Sequence, residues 1–160
     1  MIRQARTDRR LAFCLLLVCL NLTFIWGNSL LPGSVSGLLS TEVKVWLLGI
    51  FPGLAGAGSD SGHTIRKLAH FLEFCCLGMC LRGLARLRER PPVQQILLPW
   101  LGGVLAACAD ETIQRFIPDR GPALIDVGID TLGVTLGVGM ISLIYFLKKK
   151  KQNNLEENEK

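Results

Sequence analysis

The chain is predicted to be an all-α, polytopic membrane bundle of four transmembrane helices, with a short interfacial helix in the first outer loop. Three observations support this. First, Leu11–Gly27, Val93–Ala109 and Thr131–Leu147 each run 17 residues without a charge. At 1.5 Å per residue such a stretch spans about 25 Å, near the lower limit for crossing a bilayer core. A fourth window, Ile65–Leu84, has similar length but carries charges. Second, 49% of the 160 residues are hydrophobic and the mean hydropathy is +0.37. Four such windows leave too little polar surface to wrap a soluble core.

Third, the basic residues fall in blocks. Arg3, Arg6, Arg9 and Arg10 precede the first span, Arg82 to Arg90 separate the second and third, and Lys148–Lys151 follow the fourth. With Lys160, 13 of the 18 Lys and Arg residues lie on one side of a four-span hairpin. By the positive-inside rule both termini are cytoplasmic. The formal charge of +5 therefore reports orientation, and nucleic acid is not an expected partner.

Residues 1–10 read as a basic cytoplasmic lead, 11–147 as the membrane domain and 148–160 as a polar, disordered cytoplasmic tail. The spans are placed at about 11–27, 65–84, 93–109 and 124–147. The first also resembles a secretory signal peptide. The following "NSLLPGSVS" offers no small-x-small cleavage site, so retention is expected.

Residues 28–64 are broken repeatedly by Pro and Gly, which excludes a single long helix. Within them, "STEVKVWLLGIF" has a helix start signal at Ser40 or Thr41. Val43, Trp46, Leu47 and Ile50 recur at helical spacing, as in a helix lying in the outer interface with Trp46 at headgroup level. Packing on the bundle as a cap is compatible with that reading. "AGAGSDSG" then makes a flexible connection into span two.

Span two ends in "RGLARLRERPP". Span three runs to Ala109 and meets "DETIQRFIPDRGP", whose prolines predict a tight, ordered loop. Span four opens near Leu124. Its Gly133 and Gly137 form a small-xxx-small pair, suited to close packing within the bundle or, alternatively, to a homodimer face. All six cysteines lie in the apolar windows, where they pack as small apolar residues.

The acidic residues gather at one end. Arg66, His70 and Glu73 share a face of span two, Asp110, Glu111 and Gln114 close span three, and Asp126 and Asp130 open span four. Depth separates them. Asp130 is about 27 Å from Lys148, near the outer boundary, whereas Glu73 is roughly 13 Å above Arg82. A carboxylate at mid-helix costs on the order of 2.5–3.5 kcal/mol. On this reading Asp110 and Asp126 are ordinary helix-end charges, and Glu73 requires a partner or a wet cavity.

Two readings of the cluster compete: a salt-bridge network pinning three helices, and a polar pocket open to the outer face. Arg and Lys beside carboxylates suit a bound phosphate, carboxylate or sugar. His70 and Glu73 form a candidate acid–base pair. His70 and Glu73, with Asp110, Glu111, Asp126 and Asp130 nearby, also supply enough ligands for zinc or manganese. The interspersed cations argue against that, so no metal and no cofactor are assigned. No nucleophile motif, phosphate-binding glycine loop or dinucleotide fingerprint appears.

"RKLAHFLEF" at 66–74, "DETIQRFIPDR" at 110–120 and "DVGIDTLGVTLG" at 126–137 together resemble the VanZ-like family of small bacterial membrane proteins. "WGNSLLPGSVSGLLS" at 26–40 resembles that family's first outer loop. The resemblance implies a multi-span protein of the bacterial cell membrane, in a family whose founding member is associated with resistance to the glycopeptide teicoplanin. It places the characteristic polar positions at Arg66, Lys67, His70, Glu73, Asp110, Glu111, Gln114, Arg120, Asp126 and Asp130. Phe74 stands where the family often has tyrosine, and Asp119 where it usually has glycine. The expected function is binding or modifying an anionic envelope component. Membrane lipids, a lipid-linked cell-wall precursor or a glycopeptide are the candidate partners. A non-enzymatic scaffold or stress-resistance factor is the alternative.

Overall fold

A computed structural model describes residues 2–50, 61–88, 90–121 and 123–158. These form five helices: α1 (Ile2–Ser29), α2 (Gly33–Ile50), α3 (Ser61–Arg86), α4 (Gln94–Gln114) and α5 (Leu124–Asn158). α1, α3, α4 and α5 each contain a segment long and apolar enough to cross a membrane. The fold is the expected four-span helical bundle, with α2 outside the four.

The helices are greasy on the wrong side for water. Among the described side chains of α1, Val18 and Ile25 are the buried apolar ones and Leu22 and Trp26 pack partly against the core, while Phe13, Leu16, Leu20 and Phe24 face outward. A soluble helix buries its apolar stripe and exposes a polar one; here lipid is the solvent for the outer face. The core is small and runs along the bundle axis. Phe74 and Leu77 of α3 meet Val134 and Val138 of α5, with Ala106 and Ala107 of α4 and Ile25 of α1 closing the sides.

α3 and α5 make the most extensive pairing. A Cβ on Gly133 would strike the carbonyl of Phe71, one on Gly137 the carbonyl of Cys75, and one on Gly78 the backbone of Val134. The small-xxx-small stripe of α5 therefore serves close packing within the bundle, where backbones approach because no side chain intervenes. All six cysteines are free.

Three elements differ from expectation. α2 begins at Gly33, ahead of Ser40 and Thr41. Those hydroxyls donate back to the carbonyls of Ser36 (2.8 Å) and Gly37 (2.9 Å), so they lie inside the helix and do not cap it. α4 continues past Ala109 to Gln114, carrying Asp110 and Glu111 on its last turns. The tail expected to be disordered is helical to Asn158. Lys, Gln, Leu and Glu dominate residues 148–157 and are good helix formers, and they extend a helix already nucleated by its apolar part. The connection assigned to "AGAGSDSG" lies outside the described residues, apart from Ser61 and Gly62 at the start of α3. So do the side chains of Leu47 and Ile50, half of the stripe expected on α2.

Arg82, expected in a basic exit from span two, is 6% exposed. Its Nε donates to Ser142 Oγ at 2.9 Å, and the ring of Tyr145 lies 5.4 Å from Arg82 and 4.0 Å from Arg86.

Candidate functional site

At the opposite end of the bundle, α1, α3, α4, α5 and the 115–123 connection bring the polar residues together. Gln114 is at the centre and 2% exposed. Its amide nitrogen donates to Asp110 Oδ2 (2.7 Å) and Ser29 Oγ (3.3 Å). Its carbonyl oxygen accepts from Arg66 Nη2 (3.4 Å) and Arg120 Nη1 (3.3 Å). One neutral amide thus stands between two guanidinium groups and one carboxylate.

Arg120 is held by backbone. Its Nε donates to the carbonyl of Leu31 (3.2 Å), just past the end of α1, and its Nη2 to that of Asn28 (2.9 Å) in the last turn, which also accepts from the N–H of Leu31 (3.2 Å). The turn that delivers it contains Asp119 at φ 58°, in the left-handed region where aspartate is tolerated better than most residues. Aspartate therefore keeps the backbone geometry that glycine would adopt there. The same turn receives α2: Gly33 N donates to the Pro118 carbonyl at 3.1 Å, and a Cβ on Gly33 would collide with the carbonyl of Asp119. Burial and the Arg66 guanidinium lower the pKa of Arg120, while Asp110 and Glu111 act in the opposite direction. It stays a cation throughout.

The remaining charges tie helices. Lys67 Nζ lies 3.1 Å from Asp126 Oδ1, a charge contact joining α3 to the first turn of α5. Glu111 Oε2 accepts from the backbone N–H of Ala123 (3.2 Å), holding the residue before α5 against the end of α4. That placement also sets a carboxylate at the positive end of the α5 dipole.

His70 turns Nδ1 toward Asp110 Oδ2, 3.7 Å away. Glu73 accepts from Asn28 Nδ2 at 3.2 Å through Oε1, and its Oε2 is buried without a hydrogen-bond partner. The two residues proposed as an acid–base pair thus have different immediate partners while lining one cavity of about 200 Å³. Arg66 and Arg120 line it too, with Leu39 and Val43 of α2 on its apolar side.

Burial does not follow the height inferred from helix register. Asp110 and Asp130 are 0% and 1% exposed, whereas Glu73 is half-buried beside the cavity. Register along one helix measures height, not which neighbours cover a side chain. α4 and α5 enclose the aspartates; Glu73 faces the gap toward α1 and α2.

All ten predicted polar positions lie in this region. Asn28 and Ser29, which sequence reasoning did not single out, belong with them. Both close an apolar helix at the same end as the cluster, in the "WGNS" that ends α1, and that polar pair was the available signal.

No curated protein and no solved structure gives a significant match. The family profile VanZ/LLP1 matches residues 11–145, from the first span to near the end of the apolar part of α5, and so contains every residue of the site. This integral membrane protein, a four-span bundle with a polar cluster at one end, belongs to the VanZ/LLP1 family.

Proposed function

We propose that the protein binds an anionic component of the bacterial envelope in the outer leaflet, through the phosphate or carboxylate of a lipid-linked molecule. The observation that carries this reading is the pair Arg66 and Arg120. Both guanidinium groups converge on the neutral Gln114 carbonyl, and no carboxylate among the described residues forms an ion pair with either. Guanidinium groups in a poorly hydrated site are normally neutralised by a bidentate anion. Beside them lies the cavity of about 200 Å³, polar at Arg66, Arg120 and Glu73 and apolar at Leu39, Val43 and Ile65. A charged headgroup with an attached acyl or isoprenoid chain matches that division.

The outer location rests on the charge asymmetry of the chain, from which the positive-inside rule predicts cytoplasmic termini. Teicoplanin resistance would follow if the bound component were a cell-wall precursor or the glycopeptide itself. The Lys67–Asp126 and Glu111–Ala123 contacts favour a structural part for those residues, so their loss is expected to lower stability before it alters binding.

The test is mass spectrometry of lipids co-purifying with the full chain in mild detergent, followed by binding to nanodiscs containing anionic or zwitterionic lipid. Arg66→Ala and Arg120→Ala should each weaken anionic binding by roughly tenfold or more, the equivalent of losing a charged hydrogen-bond pair worth about 1.5–3 kcal/mol. Equal affinity of wild type and both variants, at normal membrane abundance, would overturn the proposal. Enrichment of a glycopeptide over lipids would identify the drug as the ligand.

A further inference from the structure

His70 of α3, Asp110 of α4 and Asp130 of α5 bring ligand atoms within 4.8 Å of one another. Both oxygens of Asp130 and Oδ1 of Asp110 are buried with no hydrogen-bond partner. Both aspartates are essentially without solvent exposure. These three carboxylate oxygens are acceptors without donors, on residues that cluster with an imidazole. A buried carboxylate is normally paired or bound to a metal, because removing its hydration costs several kcal/mol.

The space beside them is small. A cavity of about 10 Å³ is lined by His70 and Asp130 together with Arg66, Lys67, Glu111 and Asp126. It admits about one water. That water brings two hydrogens for three oxygens.

We propose that His70, Asp110 and Asp130 bind a divalent transition cation of the zinc or manganese class. One imidazole and two carboxylates are a donor set these ions accept. Metal–ligand bonds of about 2.0–2.2 Å hold ligand atoms no more than about 4.4 Å apart. The observed spread needs only a small inward rotation to close, and the 3.7 Å between His70 Nδ1 and Asp110 Oδ2 already lies within that limit. The neighbouring cations do not stand in the way. Lys67 is neutralised by Asp126, while Arg66 and Arg120 point to Gln114. Gln114 Nε2, donating to Asp110 Oδ2, is the outer partner that orients this ligand. A bound dication would offset the two carboxylates and leave the guanidinium pair free for an anion. The site itself stands whether or not an anion binds.

The experiment uses the full chain in detergent, stripped with a chelator and titrated with Co²⁺, Zn²⁺ and Mn²⁺. The expected result is one equivalent of bound cobalt with visible d–d bands, and a melting temperature raised by Zn²⁺ or Mn²⁺. Asp130→Asn and His70→Gln should each weaken binding by about 100-fold or more, at least the upper end of what loss of an outer partner costs. Absence of bands and an unmoved melting temperature in wild type would overturn the proposal, leaving a proton shared by the carboxyl groups. Thiolate-to-cobalt charge-transfer bands would also overturn it, by placing the metal on the cysteines. So would binding retained in both variants. If neither variant folds, X-ray absorption of the zinc-loaded wild type decides. Nitrogen and oxygen ligands with one imidazole support the site, and any other ligand set overturns it.

Discussion

Gln114 has more riding on its chemistry than any charged residue around it. An amide presents an acceptor to Arg66 and Arg120 and a donor to Asp110 and Ser29 in one planar group. Gln114→Glu keeps the shape and reverses half of the function. The new carboxylate would pair with the guanidinium groups and offset one of their two charges, yet would face Asp110 Oδ2 across the 2.7 Å now spanned by a hydrogen bond. Two effects of opposite sign follow for stability, and the loss of two buried donors beside a like charge outweighs the gain. The expected outcome is a melting temperature a few degrees lower and anionic-lipid binding reduced at least about tenfold, because the anion's position is already filled. Nanodisc binding and thermal unfolding in detergent check both. Undiminished binding would show that the guanidinium pair does not receive the anion. The ten polar positions were legible as types on helix faces; their partners were not. Spacing along α3 groups His70 with Glu73, but packing sends His70 to Asp110 on α4 and Glu73 to Asn28 on α1.

For the helices, legibility depended on which solvent each face meets. α1, α3, α4 and α5 were readable because a lipid-facing helix must be apolar almost all round, so a charge-free run marks α1, α4 and α5 directly and a long apolar stretch with few charges marks α3. α2 was misplaced at its start because Ser and Thr cap a helix or back-bond within it with the same hydroxyl, and only backbone geometry separates the two. The tail of α5 was misread because a polar sequence was judged alone, without the nucleated helix that precedes it. The α3–α5 seam offers a direct check of close packing. Gly137→Leu inserts a side chain where even a Cβ meets the backbone of Cys75 and Met79, and backbone does not yield as a side-chain tip does. Overpacking of about 1–3 kcal/mol or more is expected, seen as a clearly lower melting temperature in detergent. Gly139→Leu, two residues along the same helix, meets nothing within 4 Å and should leave melting within a degree or two. Equal effects at the two sites would mean that helix propensity, not the seam, sets the response.

The molecule as a whole is polarised twice, by charge and by burial. Its basic blocks lie beyond one end of the bundle, and the buried carboxylates with their guanidinium partners lie at the other. The basic end is structurally committed: Arg82 is packed against Ser142 and Tyr145, and α5 carries Lys148–Lys151 outward on a helix of 35 residues. At 1.5 Å per residue that helix is about 52 Å long, well beyond a hydrocarbon core of about 30 Å, so its lysines emerge into water. Four crossings put the two termini on the same side of the membrane. Lys and Arg residues resist translocation, and 13 of the 18 are on that side, which predicts cytoplasmic termini and a site facing outward. The five cations on the other side weaken the bias only slightly, since Arg66, Lys67 and Arg120 are held within the polar cluster and are not free loop charges. A fluorescent protein fused after Lys160 should therefore be bright, and alkaline phosphatase at the same point inactive. Replacing Lys148–Lys151 by glutamine removes four of the thirteen charges but leaves those ahead of the first apolar span and those between the second and third, so the orientation should hold. Replacing the lysine block together with Arg3, Arg6, Arg9 and Arg10 leaves only the α3–α4 block and Lys160, and a mixed population with partial phosphatase activity is expected. An active phosphatase on the unmodified chain would invert the molecule, moving the polar site to the cytoplasmic leaflet and its ligand to the lipids found there.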